Sequence, residues 1–166
     1  MEFKASKSMA IQIITIGVIV LFAFIGYKSL IGLLHAKGNL TVIMIHSSVL
    51  IFLTATILFC YLLAPQKYSI DNDNFIVHRP ISDIIIPIDS IKDIRIAGDW
   101  DLKGMIRTFG VGGLFGNYGK FYSQGLGSVT MYGTQTKNYV LIKTESRKIL
   151  ITPNDLSLIE EIKSRK

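Results

Sequence analysis

Two long apolar runs dominate the first part of the chain, and an alternation of apolar and polar positions replaces them after Pro65. The first run is Met9–Tyr27, with a weaker continuation through Ser29–Leu34; the second is Leu40–Ala64. A helix needs about 20 mostly apolar residues to cross the hydrocarbon core of a bilayer, and each run is long enough. Neither contains Asp, Glu or Arg, and Lys28 falls where the first core run ends. A buried helix of a soluble protein would carry polar residues along one face over this length, and they are missing. Residues 9–64 therefore predict a hairpin of two transmembrane helices that turns at His35–Asn39. Lys4 and Lys7 would suit the start of a signal peptide. The apolar run exceeds the usual h-region of about 7–15 residues and no Ala-x-Ala site follows it, so a retained anchor is expected.

Around this hairpin the elements are short. Residues 1–8 read as a basic, mobile tail. After the hairpin, Tyr68–Ile70 and Phe75–Arg79 read as strands joined by Asp71-Asn72-Asp73-Asn74, whose side chains favour turns. Ser82–Ile86 is a third strand between Pro80 and Pro87, and Asp89-Ser90 starts a single helical turn before a strand at Ile94–Ala97. The stretch Gly98–Gly133 holds ten of the fourteen glycines, interleaved with Trp100, Phe109, Phe115, Tyr118, Phe121, Tyr122 and Tyr132. It reads as a long structured loop with several unusual backbone angles, and its aromatics argue that it packs down or touches lipid. Strands resume at Ser128–Tyr132, Tyr139–Thr144 and Lys148–Ile151. A final helix is expected with Thr152 as its cap, Pro153 in its first turn, and Leu156, Leu158, Ile159 and Ile162 on its apolar face. About seven strands closed by one helix predict an all-β roll or barrel over residues 67–166.

Charge adds an orientation. Lys4, Lys7, Lys67 and Arg79 flank the outer ends of the hairpin, against Lys28 and Lys37 near its turn. The positive-inside rule then places both termini and the β domain in the cytoplasm. From Lys67 onward 14 Lys and Arg face 11 Asp and Glu, an excess too mild to argue for nucleic acid. The lone cysteine, Cys60, lies within the second run, so neither a disulfide framework nor a zinc cluster is expected.

No reactive constellation emerges. At Gly119-Lys120 a phosphate loop would need a glycine where Leu114 stands and a hydroxyl where Phe121 stands. A dinucleotide fingerprint from Gly110 fails at Phe115. Asp71 and Asp73 lack the later glycine and glutamate of a calcium loop, and His35, His46 and His78 share no ligand spacing. Asp99 and Asp101 read as a solvated rim around Trp100 rather than paired catalytic carboxylates. His46 reads as lying near the interface or bonding a neighbouring helix, and Gln12 and the hydroxyls within the spans read as helix–helix contacts or back-bonded groups. No catalytic residue, cofactor or metal is expected. The candidate binding surface is the basic and aromatic set Trp100, Lys103, Arg107, Phe115, Tyr118 and Lys120. Such a set suits anionic headgroups or a protein partner.

The order of elements resembles the bacterial pleckstrin-homology (PH) domain over roughly Lys67–Ile162. The resemblance rests on Tyr68–Arg79, Ile86–Ile96 and above all Arg107–Gly116, continued by Gly119-Lys120-Phe121, Leu126-Gly127, Met131–Thr134 and Thr152-Pro153. It implies a seven-strand barrel capped by a helix, often preceded by membrane helices, with no enzymatic activity. Phosphoinositide-binding relatives use basic residues in the first strand turn; Asp71 and Asp73 stand there instead and would repel a phosphorylated headgroup. The expected protein is a multi-pass protein of the bacterial inner membrane, held in lipid by the hairpin, whose β domain docks a protein partner. The alternatives are an anionic-lipid or small-ligand sensor and an anchoring subunit of a larger membrane complex.

Overall fold

The computed structural model describes residues 1–165. Its two longest elements are α1 (Met9–Leu34) and α2 (Leu40–Leu63), joined through His35–Asn39. Ser8 caps α1, and the Asn39 side chain accepts the Val42 N–H to start α2. At 1.5 Å per residue the helices span about 39 and 36 Å, longer than the roughly 30 Å core of a bilayer. Their mean hydropathies reach 2.5 and 2.3, and almost none of that apolar surface is covered by the rest of the chain. Exposed Ile13, Val20, Phe24, Ile51, Phe52 and Phe59 lie around both helices. These are helices long and apolar enough to cross a membrane, not the core of a globular domain. His46 lies against α1, where a Cβ on Gly32 would stand 2.2 Å from its Nε2, so a glycine is what lets the imidazole in.

The β domain follows almost without a linker. Four strands form one antiparallel sheet in the order β1 (Glu2–Lys4), β2 (Lys67–Asp71), β3 (Asn74–His78), β4 (Ile84–Pro87). A single 3-10 turn, Ile88–Ser90, leads into β5 (Ile91–Ile96) and a short helix, α3 (Asp99–Leu102). Then come β6 (Ile106–Gly112), β7 (Asn117–Ser123), β8 (Gly127–Gly133), β9 (Val140–Thr144) and β10 (Lys148–Ile151). The second sheet runs β5-β9-β10-β8-β7-β6, with β10 parallel to β8 and its other pairs antiparallel. Helix α4 (Ser157–Ser164) closes the domain.

The main core lies between the sheets. Tyr68, Phe75, Val77, Ile86, Ile142, Ile149 and Ile151 fill it, and Leu158 and Ile162 of α4 cover its end. The Tyr68 and Phe75 rings stack at 6.2 Å. The Tyr68 hydroxyl donates to the Tyr132 carbonyl at 2.6 Å, which satisfies the one polar group that the ring carries inward. Burial pushes this phenol up to about 12. A second, smaller core covers the outer face of the larger sheet, where Phe121, Val129, Met131, Leu141 and Leu150 lie under Leu102 and Met105.

The hairpin followed by a helix-capped β domain is the architecture the sequence predicts. Three local expectations change. Residues 1–8 are not a mobile tail: β1 pairs with β2, the buried Phe3 and Ala5 face the core, and Ser8 N–H donates to Thr134 O at 2.9 Å. The stretch from Gly98 to Gly133 is not a loop but α3, β6, β7 and β8, which with β1 brings the strands to ten among the described residues. Thr152 does not cap the last helix. Its hydroxyl accepts from the Thr134 and Gln135 N–H groups, and α4 starts five residues later with Asp155 accepting the Ser157 N–H. Lys166 lies outside the described residues.

Candidate functional site

The β6–β7 hairpin joins the domain to the helices. Gly110 and Gly119 face each other across it, with φ of 120° and 118°. A Cβ on Gly119 would stand 2.4 Å from Phe109 O, and one on Gly110 2.3 Å from Tyr118 O. Only glycine allows both the dihedral and the approach, which is why this segment is glycine-rich without being irregular.

At the tip of the hairpin Phe115 adopts φ 60°, a left-handed conformation unusual for an aromatic residue. Such strain costs about 1–3 kcal/mol and persists only where surroundings fix it. Here the Phe115 N–H donates to the buried Thr15 hydroxyl of α1 at 3.0 Å. The Phe115 ring meets Tyr61 of α2 edge-on at 5.7 Å, and the Lys7 ammonium stands 5.2 Å from its centroid. Beside it, the Tyr118 hydroxyl donates to the Cys60 carbonyl in the last turn of α2. Desolvation raises the Tyr118 phenol well above its usual range. One turn thus grips both helices.

The six residues singled out from sequence do not form one patch. Phe115 and Tyr118 belong to this helix–domain joint. Trp100 is exposed on α3, with the Lys103 ammonium 4.9 Å from its ring. Arg107 and Lys120 are both exposed on the β6–β7 pair, opposite Phe121 and Phe109 respectively. Because adjacent residues of β7 point to opposite faces, Arg107 and Lys120 lie on opposite faces of the sheet. Asp101 is not part of a solvated rim. It is buried, accepts the Gly98 N–H at 2.9 Å, and pairs with Arg95 through two bonds of 2.5 and 2.9 Å. The Arg95 guanidinium holds its carboxyl down at about 2. Asp99 lies exposed on the same turn.

What sequence reasoning missed is apolar. Strand β6 is one edge of the larger sheet, with β5 at the other. Ile106 and Phe109 project from it, 60% and 77% exposed, beside Tyr122 of β7. Ile106 pairs with Tyr122 and Phe109 with Lys120, so all four side chains share one face. Apolar residues on an open edge are a pairing surface that proteins usually blunt. The only signal in the sequence was the Ile106/Phe109 spacing, broken by a bulge at Thr108 that hides the period-two pattern. No group of histidine, cysteine, aspartate and glutamate suited to a metal occurs among the described residues.

Residues 66–166, more than half of the chain, match the family described as bacterial PH domain. No curated protein and no solved structure matches the chain. Domains of this kind are generally non-catalytic interaction modules, and the two-sheet core closed by α4 and preceded by two apolar helices fits that description. The protein is therefore a member of the bacterial PH domain family with two apolar helices ahead of the domain.

Proposed function

We propose that this protein is a membrane-anchored, non-catalytic docking module. Helices α1 and α2 span the bilayer, and the β domain sits against its cytoplasmic face and receives a protein partner. Support for the anchor comes from the uncovered apolar surface of both helices. Support for a close seat comes from the three-residue connection Ala64–Gln66 and from the grip of the β6–β7 tip on both helices. Because β1 pairs with β2, the N-terminal segment and the domain share one side, in keeping with the lysine and arginine bias of the flanks.

The observation that carries the docking reading is the open β6 edge with Ile106, Phe109 and Tyr122 exposed beside it. An extended segment of a partner would add to β6 through main-chain hydrogen bonds and cover these three side chains. The test is purification of the full-length protein in mild detergent, with and without Phe109→Asp. A polypeptide retained by the wild type and released by the variant, at unchanged thermal stability, supports the reading. A partner that the variant keeps, or a wild type carrying no polypeptide, contradicts it.

A further inference from the structure

Lys7 relates two cavities, because it lines the first and its ammonium stands over Phe115, which lines the second. The first is a polar pocket of about 440 Å³ at the foot of α1, lined by Ser6, Lys7, Ser8, Gln135, Lys137 and Asn154 among others. No carboxylate lines it, and neither lysine has a carboxylate partner among the described residues. The second is a cleft of about 540 Å³ between α1 and α2, walled by apolar side chains including Phe22, Ala23, Leu53 and Ile57. Phe115 closes the end of the cleft nearest the domain, and the Lys7 ammonium stands over that same ring.

We propose that this junction binds one anionic glycerophospholipid. Its phosphate sits in the pocket beside Lys7 and Lys137, and one acyl chain lies in the cleft between the helices. The charge argues for the headgroup: two ammonium groups without a carboxylate partner, in a carboxylate-free pocket whose Ser6, Gln135 and Asn154 side chains hydrogen-bond one another, suit a phosphodiester. Its depth fits as well, because Lys7 immediately precedes an apolar helix and a lysine there reaches the headgroup level of a bilayer. The shape argues for a chain rather than a partner helix. Gly26 of α1 lies close enough to Leu50 of α2 that a Cβ would touch it at 3.7 Å. A helix about 10 Å across does not enter between helices so closely packed.

The inference rests on the membrane reading above but not on the β6 edge. The test uses full-length protein, delipidated in a nonionic detergent. Phosphatidylglycerol in hundredfold excess over its Kd raises Tm by about 5–10 °C. Phosphatidylcholine with the same chains does not, and neither does glycerol 3-phosphate. Native mass spectrometry finds one phosphatidylglycerol per chain. Lys7→Gln combined with Lys137→Gln removes the distinction between the two lipids, and Ala23→Trp, which fills the cleft wall, weakens the shift. Phe109→Asp leaves it intact, so the docking reading and this one fail separately. Equal stabilisation by both lipids, a shift retained in the double variant, no retained lipid, or a shift reproduced by glycerol 3-phosphate overturns the proposal.

Discussion

The main-chain N–H of Phe115 donates to the hydroxyl of Thr15 at 3.0 Å, across a hundred residues of sequence. The same hydroxyl lies 2.7 Å from Ile11 O and 3.3 Å from Gly113 O, so one side chain links α1 to the hairpin tip. Thr15→Val keeps the shape and leaves a part-buried N–H without a partner. The cost is about 1–3 kcal/mol. It reads as a lower Tm in detergent and as faster proteolysis within residues 113–116. An unchanged Tm and cleavage rate would mean that the domain is not held through this residue.

Tyr118 makes the matching bond to α2 through the Cys60 carbonyl. Tyr118→Phe removes it at a cost of about 1 kcal/mol. Because Thr15 and Tyr118 hold opposite ends of one turn, their effects are coupled. The double variant departs from additivity by about 0.5 kcal/mol or more in a thermodynamic cycle. Strict additivity would show two independent tethers.

Gly119→Ala forces a Cβ to 2.4 Å from Phe109 O at a φ of 118°. The hairpin opens rather than accommodates it, at about 2–4 kcal/mol. Hydrogen exchange reports the change as lost protection of the β6 amides paired to β7, with the β9–β10 amides unaffected. Protection retained in β6 would refute the steric account.

The Asp101–Arg95 pair sets an acid limit on the outer core. Asp101 titrates at about 2 in the folded protein, below its ordinary value of 3.8. Its contribution is complete above that ordinary value and is lost as pH falls through 2. Since Arg95 is partly exposed, the pair is worth about 1–2 kcal/mol. Asp101→Asn therefore lowers denaturation stability at pH 7, and the gap from wild type closes between pH 4 and pH 2. A gap constant over that range would show that ionisation of Asp101 contributes nothing.

The parts legible in the sequence were those carried by period and length. Two uncharged apolar runs announced the helices, the alternation Tyr68-Ser69-Ile70-Asp71 announced a strand, and the short apolar run Val140–Ile142 announced another, which the structure buries on both faces. Glu2-Phe3-Lys4-Ala5 alternates as well, but four residues beside a longer apolar run are too few to outweigh the expectation of a frayed end. The glycine-rich stretch misled for a different reason. Gly110 and Gly119 look like breakers along the chain and become intelligible only as partners across a hairpin. Phe115 and Tyr118 were singled out as surface candidates because the sequence does not show what would cover them. Their partners, Thr15, Cys60 and Tyr61, lie in the helices. The Ile106–Phe109–Tyr122 face lies across a bulge and two strands, and no local pattern exposes it.

The claim on which the rest depends is that α1 and α2 cross a bilayer and leave the β domain on the side of the N-terminal segment. Cysteine labelling in intact bacterial cells measures this directly. In a Cys60→Ser background, Lys37→Cys marks the turn between the helices and Glu145→Cys marks the β9–β10 turn. A membrane-impermeant maleimide added outside should label the first variant and spare the second until the cells are lysed. Equal labelling of both, or recovery of the unlabelled chain in the aqueous fraction without detergent, would contradict the account.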